Sequence, residues 1–444
     1  MFPLTRPMRQ TVATIALVGL TVVPTGVVAT IAWRINRPGH VRDVEIELGR
    51  QLGLQVTLEG VRYPKPGEVV YQGITLRQEE PRRKGLIEIG RADQARLQRA
   101  DRDLIVNLEN PRLSADSPKL ALGQLAAVLQ RSGQIPFERV HVTAGSCQLD
   151  LGHESLRVSV RDVAGELVVD PLAPSLKLTY RFSGEGAGTR CELAGTRDRR
   201  TEQIETSVAL STVEGPPLPA RVLNVFFDAA DWLGSSAKFE GTLHLHQAGS
   251  RDWEADYRGE LHDVDLAKLV GRRFPRHRLN GRARVAIKEA KWGQRPTQGW
   301  GWLEAKGELA AGQGSIGIDL IDALAREMKF RRSPRLVNLD ARKTDVDFRA
   351  LGLSFAIESG GEIQIGGALG AEFSPDAVIA GATTSLLSAP EGTASVHGLI
   401  KTLFPISQAS SGVMVPLTAE SQLLLSLPVP PGSVNTTRQT VDGN

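Results

Sequence analysis

Cysteine is nearly absent from this chain of 444 residues, and the two present, Cys147 and Cys191, belong to no CxxC pair or Cys/His cluster. A structural zinc site therefore has no ligand set to draw on. Aromatics make up only 5% of the residues, which leaves few platforms for stacking single-stranded nucleic acid. A net charge of +3 gives no electrostatic reason to expect nucleic acid of any kind. Met occurs four times against 45 Gly and 25 Pro, a balance that favours turns and strands over helical bundles. With 23% charged residues, the chain is not a disordered polyelectrolyte either.

Catalytic signatures are also missing. No G-x-S-x-G, H-E-x-x-H, P-loop or G-x-G-x-x-G stands in a workable context. The nearest string, 312-GQGSIG-317, lies between a strand and a helix but lacks the P-loop lysine and a parallel βαβ setting. His244 and His246, two apart on one strand face, have a spacing that can chelate a metal. No carboxylate or third histidine stands beside them in sequence, and their face is the polar one. The sequence predicts neither an enzyme nor a metal or cofactor site.

One long uncharged run is present. Residues 11–33, TVATIALVGLTVVPTGVVATIAW, span about 34 Å as a helix, enough for a bilayer core. Trp33 and Arg34 suit a membrane boundary, and Pro24 is tolerable in a membrane helix. A cleaved signal peptide is the rival, with 27-VVA-29 as its small-residue site, but the run exceeds the usual apolar length of such signals. Arg34, Arg37 and Arg42 outnumber Arg6 and Arg9, so the flanking charges alone do not put the large domain outside the cytoplasm. The expected organisation is a short segment at 1–10, an anchor at 11–33, a β-rich domain at 34–427 and a disordered polar tail at 428–444.

Within 34–427, apolar and polar residues alternate through roughly fifteen short runs, each with one wet and one dry face. Helices are expected at 41–53, 118–133, 217–234, 316–329 and 395–404; Leu336 and Leu339 fall on an expected strand. No βαβ rhythm appears, so the fold class is mainly β, with antiparallel sheet and a few short helices. The dry face has two solutions. The commoner is a β-sandwich or barrel in which two such faces meet. The other is a long sheet curled into an apolar groove. Cys147 and Cys191 lie on the dry side and either form one disulfide or remain buried thiols, because sequence does not show the Cα spacing a bridge needs. Asp265, just before 266-LAKL-269, is placed to cap a short helix.

The stretch 257-YRGELHDVDLAKLVGRRFPRHRLNGRARVAI-287 runs strand, D-V-D-L, short helix, loop, and a strand opened by L-N-G. A second copy is suggested at 344-TDVDFRALGLSFAIESGGEIQIGGALG-370, with Gly361 matching Gly281. This pattern resembles the recurrent unit of AsmA-like proteins, a bacterial envelope family similar to the TamB group. The entering strands, 53-GLQVTLEGVRYPKPGEVVYQGITL-76, and the piece 308-ELAAGQGSIGIDLIDAL-324 are similar to that family as well. The repeat units would fall near 237–340 and 341–427.

The resemblance covers about residues 10–400 and is one of texture, without an invariant motif. It implies an inner-membrane protein with one span, its large domain in the periplasm, and a groove of about 70 Å that shields phospholipid or other acyl chains. A secreted periplasmic form and a scaffold for an envelope protein partner are the alternatives. On this reading Leu176, Leu178, Tyr180, Phe239, Leu243 and Leu245 would line the groove, together with Trp253, Tyr257, Leu261, Val285, Ile287, Ile363 and Ile365. The basic loop 271-GRRFPRHR-278 would offer Arg272, Arg273, Arg276 and Arg278 to an anionic headgroup or membrane surface. A second basic cluster, Arg82, Arg83 and Lys84, adjoins Glu79 and Glu80, which offset its charge.

Overall fold

A computed structural model of the chain describes residues 23, 25, 27, 29–30, 33, 37–80, 85–115, 118–151, 156–184, 187–225, 228–249, 251, 253–272, 274–295, 299–337, 343–382, 384–404 and 427. Most of the expected anchor at 11–33, the cluster Arg82, Arg83 and Lys84, Arg273 and the tail 428–444 lie outside these residues. No helix among the described residues is long and apolar enough to cross a membrane.

The chain is dominated by one long curled sheet. Helix α1 (His40–Leu52) stops at Gly53, whose left-handed backbone (φ 65°) closes the last turn onto the Gly49 carbonyl. Strands β1 (Gln55–Thr57) and β2 (Gly60–Arg62) pair side by side with β3 (Glu68–Glu80). β4 (Gly85–Ala100) follows. β5 (Asp103–Glu109) and β6 (Arg112–Ala115) both lie between β4 and β7 (Arg139–Leu151), as one strand broken at Asn110 (φ 48°) and Pro111.

From β7 the order is sequential: β8 (Leu156–Val168), β9 (Ser175–Phe182), β10 (Arg190–Asp198) and β11 (Glu205–Glu214). After the short β12 (Leu218–Pro219), β13 (Lys238–Ala248), β14 (Glu254–Asp265), β16 (Arg282–Arg295), β17 (Gly299–Ala311), β21 (Ala350–Ile357) and β22 (Glu362–Gly367) extend the sheet. Between β14 and β16 comes β15 (Leu279–Asn280), which pairs with β18 (Gly314–Gly317), and β18 pairs with β20 (Asp345–Phe348) in a separate small sheet. β19 (Arg331–Arg332), β23 (Ala377–Ala380), β24 (Ser385–Ser388) and β25 (Ala394–Ser395) finish the far side.

The mainly β class and the long sheet agree with the alternation. One step does not: β5 and β6 run parallel to β7. Helix α2 (Pro118–Arg131), expected from sequence, makes that crossover, which a parallel step requires. The sheet bends where bulk is missing and register slips. Gly241 faces Gly259, and a Cβ on Gly259 would lie 2.1 Å from the Glu240 carbonyl oxygen. Bulges follow between Tyr257 and Gly259 and between Leu261 and Val264. Such positions add twist and let the strand curl.

The expected helix at 217–234 is corrected. Leu218–Pro219 is strand, Ala220–Val225 is a 3-10 turn, and only α3 (Ala229–Leu233) is α-helical. Pro216, Pro217 and Pro219 cannot donate helix hydrogen bonds, and the Asp228 carboxylate starts a new turn by accepting from the Asp231 amide. α4 (Ile318–Glu327) and, beyond a short helical turn α5 (Pro334–Val337), α6 (Val396–Leu403) match expectation. Leu336 sits in α5 rather than in a strand, and Leu339 is outside the described residues.

The disulfide alternative is also corrected. Cys147 and Cys191 are free and buried. Cys147 is on β7 and Cys191 on β10, three strand spacings or about 14 Å along the sheet, beyond the reach of a bridge. Burial pushes the Cys147 thiol up to about 11 and the Cys191 thiol up to about 12.

Candidate functional site

Register turns the separate dry faces into one surface. Starting on β3, directly paired residues run Val69, Leu97, Val106, Val142, Gly165 and Leu178. The same row continues through Leu193, Leu210, Leu243, Tyr257, Ala290 and Ala305, and ends at Ile357, Ile363 and Ala394. Every member is apolar or Gly apart from the Tyr257 hydroxyl, which donates to the Glu240 carbonyl at 3.0 Å. Burial pushes that phenol up to about 12, so it stays a neutral donor. The neighbouring row on the opposite face reads Glu166, Lys177, Ala194, Ala209, His244, Asp256, Lys291 and Glu304. Paired residues share a face, so from β8 to β17 the sheet has one apolar side and one largely polar side.

Three packed groups cover parts of the apolar side. α2 lays Leu125 and Leu129 over Gly195, where a Cβ would come within 3.2 Å of Leu125, and Leu129 packs with Val140, Leu167 and Leu176. The turn after β12 brings Leu218 and Val222 over Cys147, Val158, Val160, Phe182 and Cys191, with Tyr180 and Phe239 alongside. The largest group joins α3, the π-helical turn Ala267–Gly271, α4, α6 and the small sheet over Val264, Ala283, Leu351 and Ile363. Leu261, Val285 and Ile365 pack against that group.

A strip between these groups is left part-exposed. Leu178, Leu193, Leu210, Leu243, Leu245, Tyr257 and Ile287 belong to none of them and are neither fully buried nor fully open. Trp253 is part-exposed just before the first residue of β14. Trp292 and Trp302 meet edge to face at 5.4 Å where a bulge sets them opposite each other. From Leu178 to Tyr257 the strip crosses four strand spacings, about 19 Å.

The sequence-expected lining thus divides. Leu178, Leu243, Leu245, Tyr257 and Ile287 are on the strip and Trp253 is part-exposed next to β14, whereas Leu176, Tyr180, Phe239, Leu261, Val285, Ile363 and Ile365 are packed by the chain's own side chains. Alternation showed which side each residue takes but not which helix would cover it. Leu193 and Leu210 complete the strip; their own alternating runs carried the signal.

In the basic loop two guanidiniums meet carboxylates of the chain. Arg272 pairs with Asp231, Arg278 pairs with Asp345 at 3.1 Å, and Arg276 is exposed. The charge of the two paired guanidiniums is offset by carboxylates brought in from distant parts of the chain. His277, in the same loop, is buried and meets the Thr402 carbonyl at 2.7 Å. Asp265 caps as expected, accepting from the amides of Ala267 at 3.0 Å and Lys268 at 3.4 Å. The two DVD strings differ locally: 263–265 ends β14 and caps the π-helical turn, whereas 345–347 forms strand β20. Gly281 (φ 140°) and Gly361 (φ 81°) both directly precede a strand.

On the charged side, His244 is exposed opposite Asp256, and His246 faces Glu254. Among the described residues the metal-compatible cluster is another one, Glu240, Glu260 and His262. His262 Nε2 lies 3.1 Å from Glu240 Oε1, and Arg284 forks onto both Glu260 oxygens at 2.6 Å. The cation seated there is the Arg284 guanidinium, which makes the cluster an ion-pair network tying β13, β14 and β16. Its sequence signal was Glu260-x-His262 on one strand face; Glu240 came by register. Comparison of the chain with protein-family models, curated proteins and solved structures gives no match.

Proposed function

We propose that the chain is a non-enzymatic carrier or shield for amphiphiles, holding an acyl tail along the strip from Leu178 to Ile287. The observation that carries this reading is the continuous apolar row whose centre is covered by none of the three packed groups. A tail there loses contact with water at about 0.8 kcal/mol per CH₂. Polar headgroups would stay at the margin, where the neighbouring charged side begins. No reacting group is needed for such a role, only an uninterrupted dry surface. The texture resemblance to AsmA-like proteins supports the same reading. It adds an anchor at 11–33 and an envelope location, with phospholipid or another acyl lipid as cargo and a contribution to lipid transport or outer-membrane maintenance.

A scaffold reading, with an edge strand recruiting another protein, has less support. β1, β2 and β25 are only two or three residues long, and short edges are poor templates for strand addition.

The test replaces Leu178 and Leu243 together by Asp in the full chain. Both are part-exposed and outside the packed groups, so the fold should persist by circular dichroism. Wild type should carry copurified lipid in native mass spectrometry and take up a fluorescent acyl lipid. The variant should bind about tenfold more weakly or worse, because a carboxylate against a tail is an unpaired buried charge. A folded variant that binds like wild type would remove the strip from consideration.

A further inference from the structure

The three packed groups close the strip on every side but one. Toward one sheet end, Tyr180, Cys191 and Phe239 lie under the turn after β12, and Leu261 and Val285 lie against the largest group. At the other sheet end α2 covers Leu176 and Gly195 on β9 and β10, but its group takes nothing from β13 to β17. There the register runs outward through one row, Leu245 to Ala255, Ala255 to Trp292 and Trp292 to Trp302. Direct partners share a face, so this row continues the apolar side beyond Leu243 and Tyr257. All four residues are part-exposed and belong to none of the packed groups. Trp253, two residues before Ala255, is part-exposed as well. Three of the six Trp in the chain thus stand close together in register where the strip opens.

The hairpin tips at this sheet end add charge of one sign. The β10–β11, β13–β14 and β16–β17 tips carry Arg199, Arg200, Arg251 and Arg295 against Glu202 and Asp252. Ile204 is exposed at the first tip, and its carbonyl accepts from the Gly249 amide of the next at 2.7 Å. Trp has an apolar body and a polar N–H, which suits it to the boundary between hydrocarbon and headgroups. The excess of Arg complements anionic headgroups. The uncharged run 11–33, expected in a bilayer, ends seven residues before α1, a tether of at most about 25 Å. A protein partner could meet the same Trp side chains, but it would give no reason for an apolar path to lead inward from them.

We infer that this sheet end docks on an anionic bilayer, with Trp253, Trp292 and Trp302 at the interface, and that tails enter the strip there. The inference rests on the proposed carrier function and adds to it the donor surface and the point of entry.

The experiment uses the full chain reconstituted in vesicles of phosphatidylcholine and phosphatidylglycerol. Q294C and A310C each place a nitrobenzoxadiazole label at an exposed position, whereas the native Cys147 and Cys191 are buried. Gln294 is two residues from Trp292, and Ala310 is eight residues from Trp302 along β17, about 27 Å away. Spin-labelled phosphatidylcholine should quench the label at 294 and spare the label at 310. R251E/Q294E should slow transfer of a fluorescent acyl lipid from the vesicles about tenfold or more and leave uptake of the same lipid from dilute solution unchanged. W253S, which alters no charge, should slow the transfer too and guards against an effect of charge reversal on folding. Labels at 294 and 310 that are equally unquenched, with normal uptake from solution, overturn the docking and leave the carrier function standing. Equal quenching at both positions overturns docking by this end. A blue-shifted but unquenched label at 294 means that protein covers the Trp residues, and overturns the bilayer as partner. Transfer by folded R251E/Q294E and W253S at the wild-type rate overturns the point of entry. No uptake by wild type from either source overturns the carrier function and the inference together.

Discussion

The imidazole of His277 is 3% exposed; its Nε2 meets the Thr402 carbonyl at 2.7 Å, and its Nδ1 is buried without a hydrogen-bond partner among the described residues. Burial lowers its pKa from 6.5; the Thr402 contact and Asp319 pull it back up, and Arg276 pushes it further down. A proton therefore binds the unfolded chain more readily than the folded one. Stability is full above about pH 6.5 and is lost as the pH falls from there toward the depressed native value. His397, also lowered mainly by burial, acts in the same window. His277→Gln keeps a donor for Thr402 and removes the titration. Urea melts at about pH 7.5 and about pH 5.5 should show a smaller acid loss for H277Q than for wild type, and equal losses would exclude His277 as a source. Nothing in 271-GRRFPRHR-278 marks His277 as buried, because its partner is 125 residues away. The same distance problem hid the ion pairs of Arg272 and Arg278.

Strands were readable because one dry face imposes a period of two, and that period survives without knowledge of the partner strand. Helices with clean boundaries were readable as well, α1 by Gly53 and α6 by Ser395, whose hydroxyl accepts from the Gly398 amide. At 217–234 the prolines at 216, 217 and 219 override the helical spacing of Leu218, Val222, Val225 and Phe226. The crossover role of α2 was not readable, since it depends on where β7 docks. That role makes α2 the element that closes one end of the strip, and two residues hold it. Leu129 is fully buried beneath it. Arg199 reaches over from beyond β10 to the carbonyls of Leu129 at 3.1 Å, Gln130 at 2.8 Å and Pro171 at 2.9 Å, satisfying acceptors left open at the helix end. Leu129→Ala should cost about 2–5 kcal/mol in a urea melt. Arg199→Met should cost about 1–3 kcal/mol and raise amide exchange in α2 before the strands beneath it. If exchange in α2 does not change, the carbonyl contacts do not hold the helix.

A sheet built almost wholly from sequential neighbours shares no single core, and the three packed groups reflect this. The groups under α2 and under the turn after β12 draw their strands from β5, β7–β10 and β13, whereas the largest group draws on β14 onward together with α3 and with Ala220 and Leu223 of that turn. They meet at the β13–β14 pair, where Phe239 packs toward one side and its direct partner Leu261 toward the other. Between the groups lies the strip, so the region proposed to bind tails is also the region with least packing to transmit a disturbance. Nearest-neighbour architectures lose stability locally rather than all at once. Ile321, 1% exposed on α4, is deep in the largest group, and Ile321→Ala should cost about 2–5 kcal/mol there. Hydrogen exchange should then show faster amide opening in β16, β17 and β21, with β7–β10 protected as in wild type. Urea unfolding of the variant should separate into two transitions, the first followed by the Trp292–Trp302 pair, which sits on β16 and β17. Equal loss of protection on both sides of the β13–β14 pair would mean that the sheet unfolds as one unit and that the strip, despite its exposure, carries stability from end to end.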